Sequence, residues 1–153
     1  MRVVRPLLPL LALMALLSGP ARASDATDAI ATLHQFSDGL NKGDMKSALA
    51  ACADETSIVD DVPPHEWHGA GACARWAADL DAASKKNGIS DEFVSLGKPR
   101  HVDITGDRAY LVVPAMLRFK LNGKPMQHPA FWTLAMHKEP AGWRITGWAW
   151  SNQ

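Results

Sequence analysis

Asp60 and Asp61 are the residues of this sequence best suited to acid–base chemistry. A carboxyl group can abstract and return a proton when its pKa lies near the working pH. Neighbouring residues of a strand point to opposite faces, so we expect only Asp60 to enter a pocket and Asp61 to be solvated or to act as a cap. Loss of hydration beside an apolar group such as Trp76 raises the pKa of an inward-facing Asp60.

His65 and His68 follow this pair and are candidate proton partners for Asp60. Two histidines three residues apart on a helix could share a metal ion, but Pro63–Pro64 predicts a loop here, and zinc sites usually need three protein ligands. We therefore predict no metal site and expect His65 or His68 to meet either a ligand or Asp61 in a loop at the pocket rim. No cofactor is predicted, because the chain has no glycine-rich phosphate loop.

Cys52 and Cys73 are the only cysteines. An even number of cysteines in an oxidising compartment suggests a disulfide. The alternative is a pair of buried free thiols, because both residues fall on apolar faces of predicted helices, where a thiol is inert. Both interpretations stay open at the level of sequence.

The first 23 residues have the parts of a secretory signal peptide. A basic start precedes an apolar run from Leu7 to Leu17, and Ala21 and Ala23 occupy alternate positions before a cut. A membrane anchor needs about 20 apolar residues, and this run is shorter. We predict a signal peptide over 1–23, a single domain over 24–153 and a periplasmic or secreted location.

The predicted mature chain is slightly acidic. It keeps 13 of the 16 basic residues against 16 acidic ones and has no basic cluster, which argues against nucleic-acid binding. It also has no second apolar run that could span a membrane, so no membrane contact is expected after cleavage.

Helical periodicity dominates the first half of the predicted domain. Ile30, Leu33, Phe36 and Leu40 make one apolar stripe. A second helix follows from 45 to 52, and a third begins near 71 and closes before Gly88. Strands are predicted over 56–60, 93–96, 101–104, 109–121, 131–138 and 143–151. Helices followed by an antiparallel meander predict an α+β domain.

Three motifs in this order resemble the nuclear transport factor 2-like superfamily, which includes SnoaL-like polyketide cyclases and ketosteroid isomerases. They are Asn41-Lys42-Gly43-Asp44, Trp67-His68-Gly69-Ala70-Gly71-Ala72 and Gly142-Trp143-Arg144-Ile145. The resemblance implies a cone-shaped roll with three N-terminal helices packed on a strongly curved antiparallel sheet. It also implies a pocket at the open end and dimers that form through the outer sheet face.

Ketosteroid isomerase is the sharpest comparison within this resemblance. Its general base matches Asp60, but its tyrosine donor matches Phe36, and its second donor maps near Leu134 or Ala135. A base without donors for the developing oxyanion argues against steroid isomerisation by that mechanism.

An apolar, aromatic pocket with one orienting carboxylate is the usual form of a ligand site. The ligand-binding residues expected here are Phe36, Ile58, Asp60, Trp67, Trp76 and Leu80. Strand alternation places Trp148 and Trp150 together on the outer face, which predicts a homodimer through that face. The same alternation turns Tyr110 outward.

The leading prediction is therefore an exported protein that binds a small apolar or aromatic molecule. An isomerase, lyase or cyclase that uses Asp60 is the alternative from the enzyme class, with His65 or His68 as its proton partner. The second alternative is a protein-interaction module whose cavity is filled.

Overall fold

A computed structural model describes residues 19–153, and the side chains from residue 23 onward. Most of the predicted signal peptide, residues 1–18, lies outside this range. The rest of it forms the start of helix α1 (Gly19–Lys42), which continues through Ala23 without a break. Between residues 19 and 153, no helix is long and apolar enough to cross a bilayer.

The helices follow the predicted apolar stripes. Helix α1 buries Leu33 and Phe36 and ends at Lys42, just before Gly43, whose φ of 69° is left-handed. The carboxylate of Asp44 then accepts a hydrogen bond from the backbone N–H of Ser47 at 3.0 Å and caps α2 (Met45–Ala50). Helix α3 (Ala72–Asn87) carries the buried indole of Trp76.

One mixed sheet contains all seven strands of the described chain. The strands are β1 (Cys52–Val59), β2 (Glu66–Ala70), β3 (Ile89–Leu96), β4 (His101–Thr105), β5 (Arg108–Leu121), β6 (Lys124–Glu139) and β7 (Gly142–Asn152). Their order is β2-β1-β7-β6-β5-β3, with β4 also beside β5. Every pairing is antiparallel except that of β1 with β7.

The predicted α+β class and cone-shaped roll are confirmed. Long strands β5 and β6 meet at the turn Asn122–Gly123, where both residues have positive φ, as a two-residue hairpin requires. Alternate residues of β5, among them Leu111 and Val113, are buried in the core cluster that also contains Leu33 and Phe36 of α1. Tyr110 points the other way and is 46% exposed, as strand alternation predicts.

The local assignments around β1 and β2 were wrong in part. Residues 66–70 form β2 instead of a loop, because β2 folds back on β1 and buries Trp67 opposite Ile58. Cys52 begins β1 instead of ending α2, since the chain turns at Ala51 and then pairs with β7 at Ile145.

Trp148 and Trp150 do not lie on the outer face. Met136 pairs with Ile145 and Ala135 pairs with Gly147, so Thr146 is an extra residue in β7. Such a bulge shifts the alternation by one position. Trp148 is therefore only 4% exposed and packs on Phe36 with ring centroids 5.1 Å apart, while Trp150 faces the same interior and packs on Trp132 at 5.5 Å.

Candidate functional site

A cavity of about 450 Å³ lies between α3 and the concave face of the sheet. Its apolar wall includes Leu80 of α3 and Leu117 of β5. Its aromatic wall is formed by Trp76, Phe119, Trp132 and Trp150. A cleft of this volume with a mainly apolar wall has the properties of a small-molecule site.

Asp60 contributes a half-buried carboxyl group to this cavity. Its Oδ2 accepts a hydrogen bond from Nε1–H of Trp76 at 3.0 Å, and its Oδ1 accepts one from the backbone N–H of Val62 at 3.2 Å. Burial raises the pKa of Asp60 to about 7, and the hydrogen bond and negative charge of Asp61 add to the rise. The bonds from Val62 and Trp76 act in the opposite direction, because they stabilise the carboxylate.

Asp61 borders the same cavity, although alternation predicted that only one of the pair would. The reason is that β1 ends at Val59, so both carboxyl groups lie in a turn where strand alternation no longer applies. Asp61 stays exposed, as expected for the outer member of the pair. Its Oδ2 accepts a hydrogen bond of 2.6 Å from Nδ2 of Asn152. The Oδ1 of Asn152 in turn accepts one of 3.0 Å from Nε1–H of Trp150.

His65 and His68 are near the carboxyl pair in sequence but are not in the cavity wall. The Nδ1 atom of His65 lies 3.2 Å from the backbone oxygen of Asp60, so this ring meets the main chain and not the carboxylate. His68 lies on β2 with Nε2 3.4 Å from Oε2 of Glu66, and both side chains are exposed. Neither ring is hydrogen bonded to the carboxyl group of Asp60.

The six residues expected to bind a ligand divide into two groups. Asp60, Trp76 and Leu80 border the cavity. Phe36 and Ile58 are fully buried behind its wall, where Phe36 supports the ring of Trp76 at 5.9 Å. Trp67 lies outside the wall, and its Nε1–H donates to Oδ2 of Asp79 at 2.8 Å.

Sequence reasoning missed Trp132, Trp150, Asn152 and His128 as parts of this site. Trp132 and His128 are on β6 and border the cavity. Trp132 is 2% exposed, and within the described chain its Nε1–H has no hydrogen-bond partner. Strand alternation places Trp132 on the same face as Leu134, and this could have indicated that Trp132 points inward. No signal in the sequence pairs Asn152 with Asp61.

The structure also shows where the residues lie that match the two oxyanion donors of ketosteroid isomerase. Leu134 is buried on the inner face, and Ala135 is exposed and pairs with outward-facing Tyr110. Phe36 is buried without a hydroxyl group. The steroid-isomerase arrangement is therefore incomplete here, as the sequence indicated.

Cys52 and Cys73 are joined as a disulfide in the structure, with Cα atoms 6.6 Å apart. The bond links the start of β1 to α3. No group of three or more His, Cys, Asp or Glu side chains in the described part of the chain is arranged to hold a metal ion.

Solved structures share this fold at low sequence identity. A nuclear transport factor 2-like superfamily protein from Salmonella enterica serovar Typhimurium is 15% identical with a TM-score of 0.72, covering 86% of this chain and 92% of its own. A ketosteroid isomerase-like protein from Erwinia carotovora atroseptica is 14% identical with a TM-score of 0.65, and the match covers 84% of this chain and 95% of that protein. The CaMKII hub of S. rosetta is 17% identical with a TM-score of 0.68, and the match covers 90% of this chain and 100% of the hub.

No protein-family model matches the chain. No curated protein matches it either. Identities this low establish the architecture and leave the chemistry to the residues of the site. The chain therefore has the fold of the nuclear transport factor 2-like superfamily, the family that its sequence motifs resemble.

Proposed function

We propose that this protein binds a small apolar or aromatic molecule in its cavity, with Asp60 as the polar group that orients the ligand. The observation that carries the proposal is the half-buried carboxyl of Asp60, held by Trp76 within an aromatic wall. Apolar surface drives binding in such a site, and the few polar groups select the orientation. An open cavity of about 450 Å³ gives no support to an interaction module with a filled interior.

The neutral aromatic alcohol 2-(1-naphthyl)ethanol is a suitable first probe in titration calorimetry. Ala77 borders the cavity, so Ala77→Phe should fill part of it and weaken binding by about tenfold or more. Ala78 is exposed and outside the wall, so Ala78→Phe is the matched control and should bind like the wild type. Equal affinities for the two variants would contradict the proposed site. Mass spectrometry of molecules released from protein purified from its native compartment would identify the natural ligand.

Acid–base catalysis is the second candidate, as an isomerase, lyase or cyclase. It is favoured by the pKa of Asp60, which at about 7 suits a group that both takes up and releases protons at neutral pH. The Nε1–H of Trp132 has no hydrogen-bond partner within the described chain, but the atom is itself buried, so the ring would have to turn before it could stabilise a developing oxyanion. Asp60→Asn separates the two functions, because a binder keeps much of its affinity for a neutral ligand whereas an enzyme loses nearly all turnover.

Export is part of the proposed function. Cleavage after Ala23 leaves Asp25 in the mature chain, where its Oδ1 pairs with Nζ of Lys138 at 2.5 Å. N-terminal sequencing of protein from the periplasm or medium should begin at Ser24. Recovery of chains that still begin at Met1, or only from the cytoplasm, would contradict export.

The proposed homodimer uses the outer face of the sheet, without Trp148 and Trp150. Tyr110 is the large exposed side chain on the outer face of β5. Tyr110→Arg should dissociate the dimer in sedimentation experiments, while His34→Arg on an exposed part of α1 should not. A wild-type chain that sediments as a monomer at micromolar concentration would contradict the dimer.

A further inference from the structure

The cavity carries an unbalanced set of charges. Its described lining includes the carboxyl groups of Asp60, Asp61, Asp81 and Glu92, together with His128, and no lysine or arginine. Asp81 is neutralised locally by Nζ of Lys85 at 2.6 Å. Among the described residues, no ion pair involves Asp60, Asp61 or Glu92.

We infer that the ligand is an apolar monoamine bound as its cation, with the ammonium group at Asp60 and Asp61 and the apolar part against the tryptophans. This inference rests on the proposed function and names the chemical class of its ligand. It excludes carboxylic acids, because a second anion in an apolar cavity would add to the existing repulsion and lose its hydration.

The hydrogen-bonding capacity of the two carboxyl groups fits an ammonium ion. Each oxygen of Asp60 already accepts one hydrogen bond, from Trp76 and from Val62. Asp61 accepts one at Oδ2 from Asn152. A carboxylate has about four acceptor positions and an ammonium group has three N–H donors, so unused acceptors remain on both residues. The existing bonds hold these acceptors in place before a ligand arrives.

The aromatic wall fits the same ligand independently of the carboxyl groups. Trp76, Trp132 and Trp150 border the cavity together with Phe119. Trp132 and Trp150 pack edge to face with centroids 5.5 Å apart, so one ring presents a face beside the edge of the other. Indole faces attract cations and also provide a large apolar contact. An aromatic ammonium ion satisfies both properties of this wall.

Protonation of Asp60 makes the affinity for a cationic ligand depend on pH. The pKa of about 7 means that Asp60 is neutral in acid and charged in mild alkali. The other titratable side chains of the wall are Asp61 beside it, Asp81 of α3, Glu92 of β3 and His128 of β6. A bound cation favours the charged form of Asp60, so binding near pH 7 should release protons.

Three probes with one ring system and different charge test the inference by titration calorimetry. They are 2-(1-naphthyl)ethylamine, 2-(1-naphthyl)ethanol and 1-naphthylacetate. At about pH 8.5 the amine should bind about tenfold more tightly than the alcohol, and the acetate should bind most weakly. At about pH 5.5, where Asp60 is protonated, the preference for the amine should fall several-fold, while the affinity of the alcohol stays nearly constant. Titration in buffers of different ionisation enthalpy should detect the released proton near pH 7.

The double variant Asp60→Asn/Asp61→Asn should lose the preference for the amine and still bind the alcohol. Asp103→Asn makes the same chemical change at an exposed site outside the wall and should keep the preference. Equal binding of amine and alcohol by the wild type, tighter binding of the acetate, or an unchanged preference in the double variant would each overturn the cationic ligand and leave the proposed pocket intact. Failure of all three probes to bind would overturn both.

Discussion

The indole Nε1–H of Trp76 donates a hydrogen bond to Oδ2 of Asp60 at 3.0 Å. The bond joins the N-terminal half of α3 to the turn that follows β1. It fixes the direction of the carboxyl group inside a wall that removes most of its hydration. A carboxyl group that is both desolvated and held in place is a group whose pKa and orientation the fold controls.

Trp76→Phe should raise the pKa of Asp60 above about 7, because it removes a bond that stabilises the carboxylate. Carboxyl carbon NMR of selectively labelled protein measures this pKa directly. Trp67→Phe is the matched control, because it removes the equivalent indole bond to Asp79 outside the cavity. A lower pKa in Trp76→Phe would mean that water entering the vacated space outweighs the lost bond.

Asp60 should make the protein less stable as pH rises toward neutrality. Its folded pKa of about 7 lies above the ordinary value of 3.8, so between these values the folded state holds a proton that the unfolded state has released. The free energy of unfolding then falls by at most about 1.4 kcal/mol per pH unit as pH rises. The stabilisation that the protonated Asp60 gives in acid is fully lost above pH 7.

Urea unfolding of the wild type and Asp60→Asn over about pH 4 to 8 measures this effect. The variant should gain stability relative to the wild type as pH rises, because asparagine does not ionise. Asp103→Asn, an exposed change, should show a constant difference. A constant difference for Asp60→Asn as well would contradict the raised pKa.

The disulfide between Cys52 and Cys73 should stabilise the folded chain. It spans 21 residues, and closing a loop of that length restricts the unfolded chain by about 3 kcal/mol. The double variant Cys52→Ser/Cys73→Ser should lose about this free energy of unfolding. Thiol titration of denatured, unreduced protein from an oxidising compartment should find no free thiol, and two free thiols would contradict the bridge.

Gly147→Ala should disrupt the contact between β7 and β1. A Cβ at this position would lie 2.8 Å from the backbone oxygen of Ser57, which is closer than van der Waals contact allows. The expected loss of stability is about 1–3 kcal/mol, as for other overpacked sites. Gly97→Ala adds the same methyl group 3.4 Å from Pro114 and should cost much less. Equal losses in thermal unfolding would show that the close approach at Gly147 is not the cause.

The sequence was sufficient for those parts of the fold that depend on local patterns. The apolar stripe through Leu33 and Phe36, the Asn122–Gly123 turn and the alternation of β5 each depend on residues close together in the chain. The inward position of Asp60 could also be predicted from the sequence, because the resemblance to a known family matched Asp60 to a pocket residue at the end of the first strand.

Only the tertiary structure decided the environment of that carboxyl group. The bulge at Thr146 turns Trp148 and Trp150 inward, and it is a feature of the pairing of β7 with β6 between Ala130 and Glu139. Asn152 reaches Asp61 across a sequence separation of 91 residues. Alternation and helical periodicity are properties of one segment, whereas a bulge, a shared cavity and a raised pKa are properties of segments packed together. The sequence therefore identified Asp60 as the candidate residue, but only the tertiary structure showed which side chains form the wall around it.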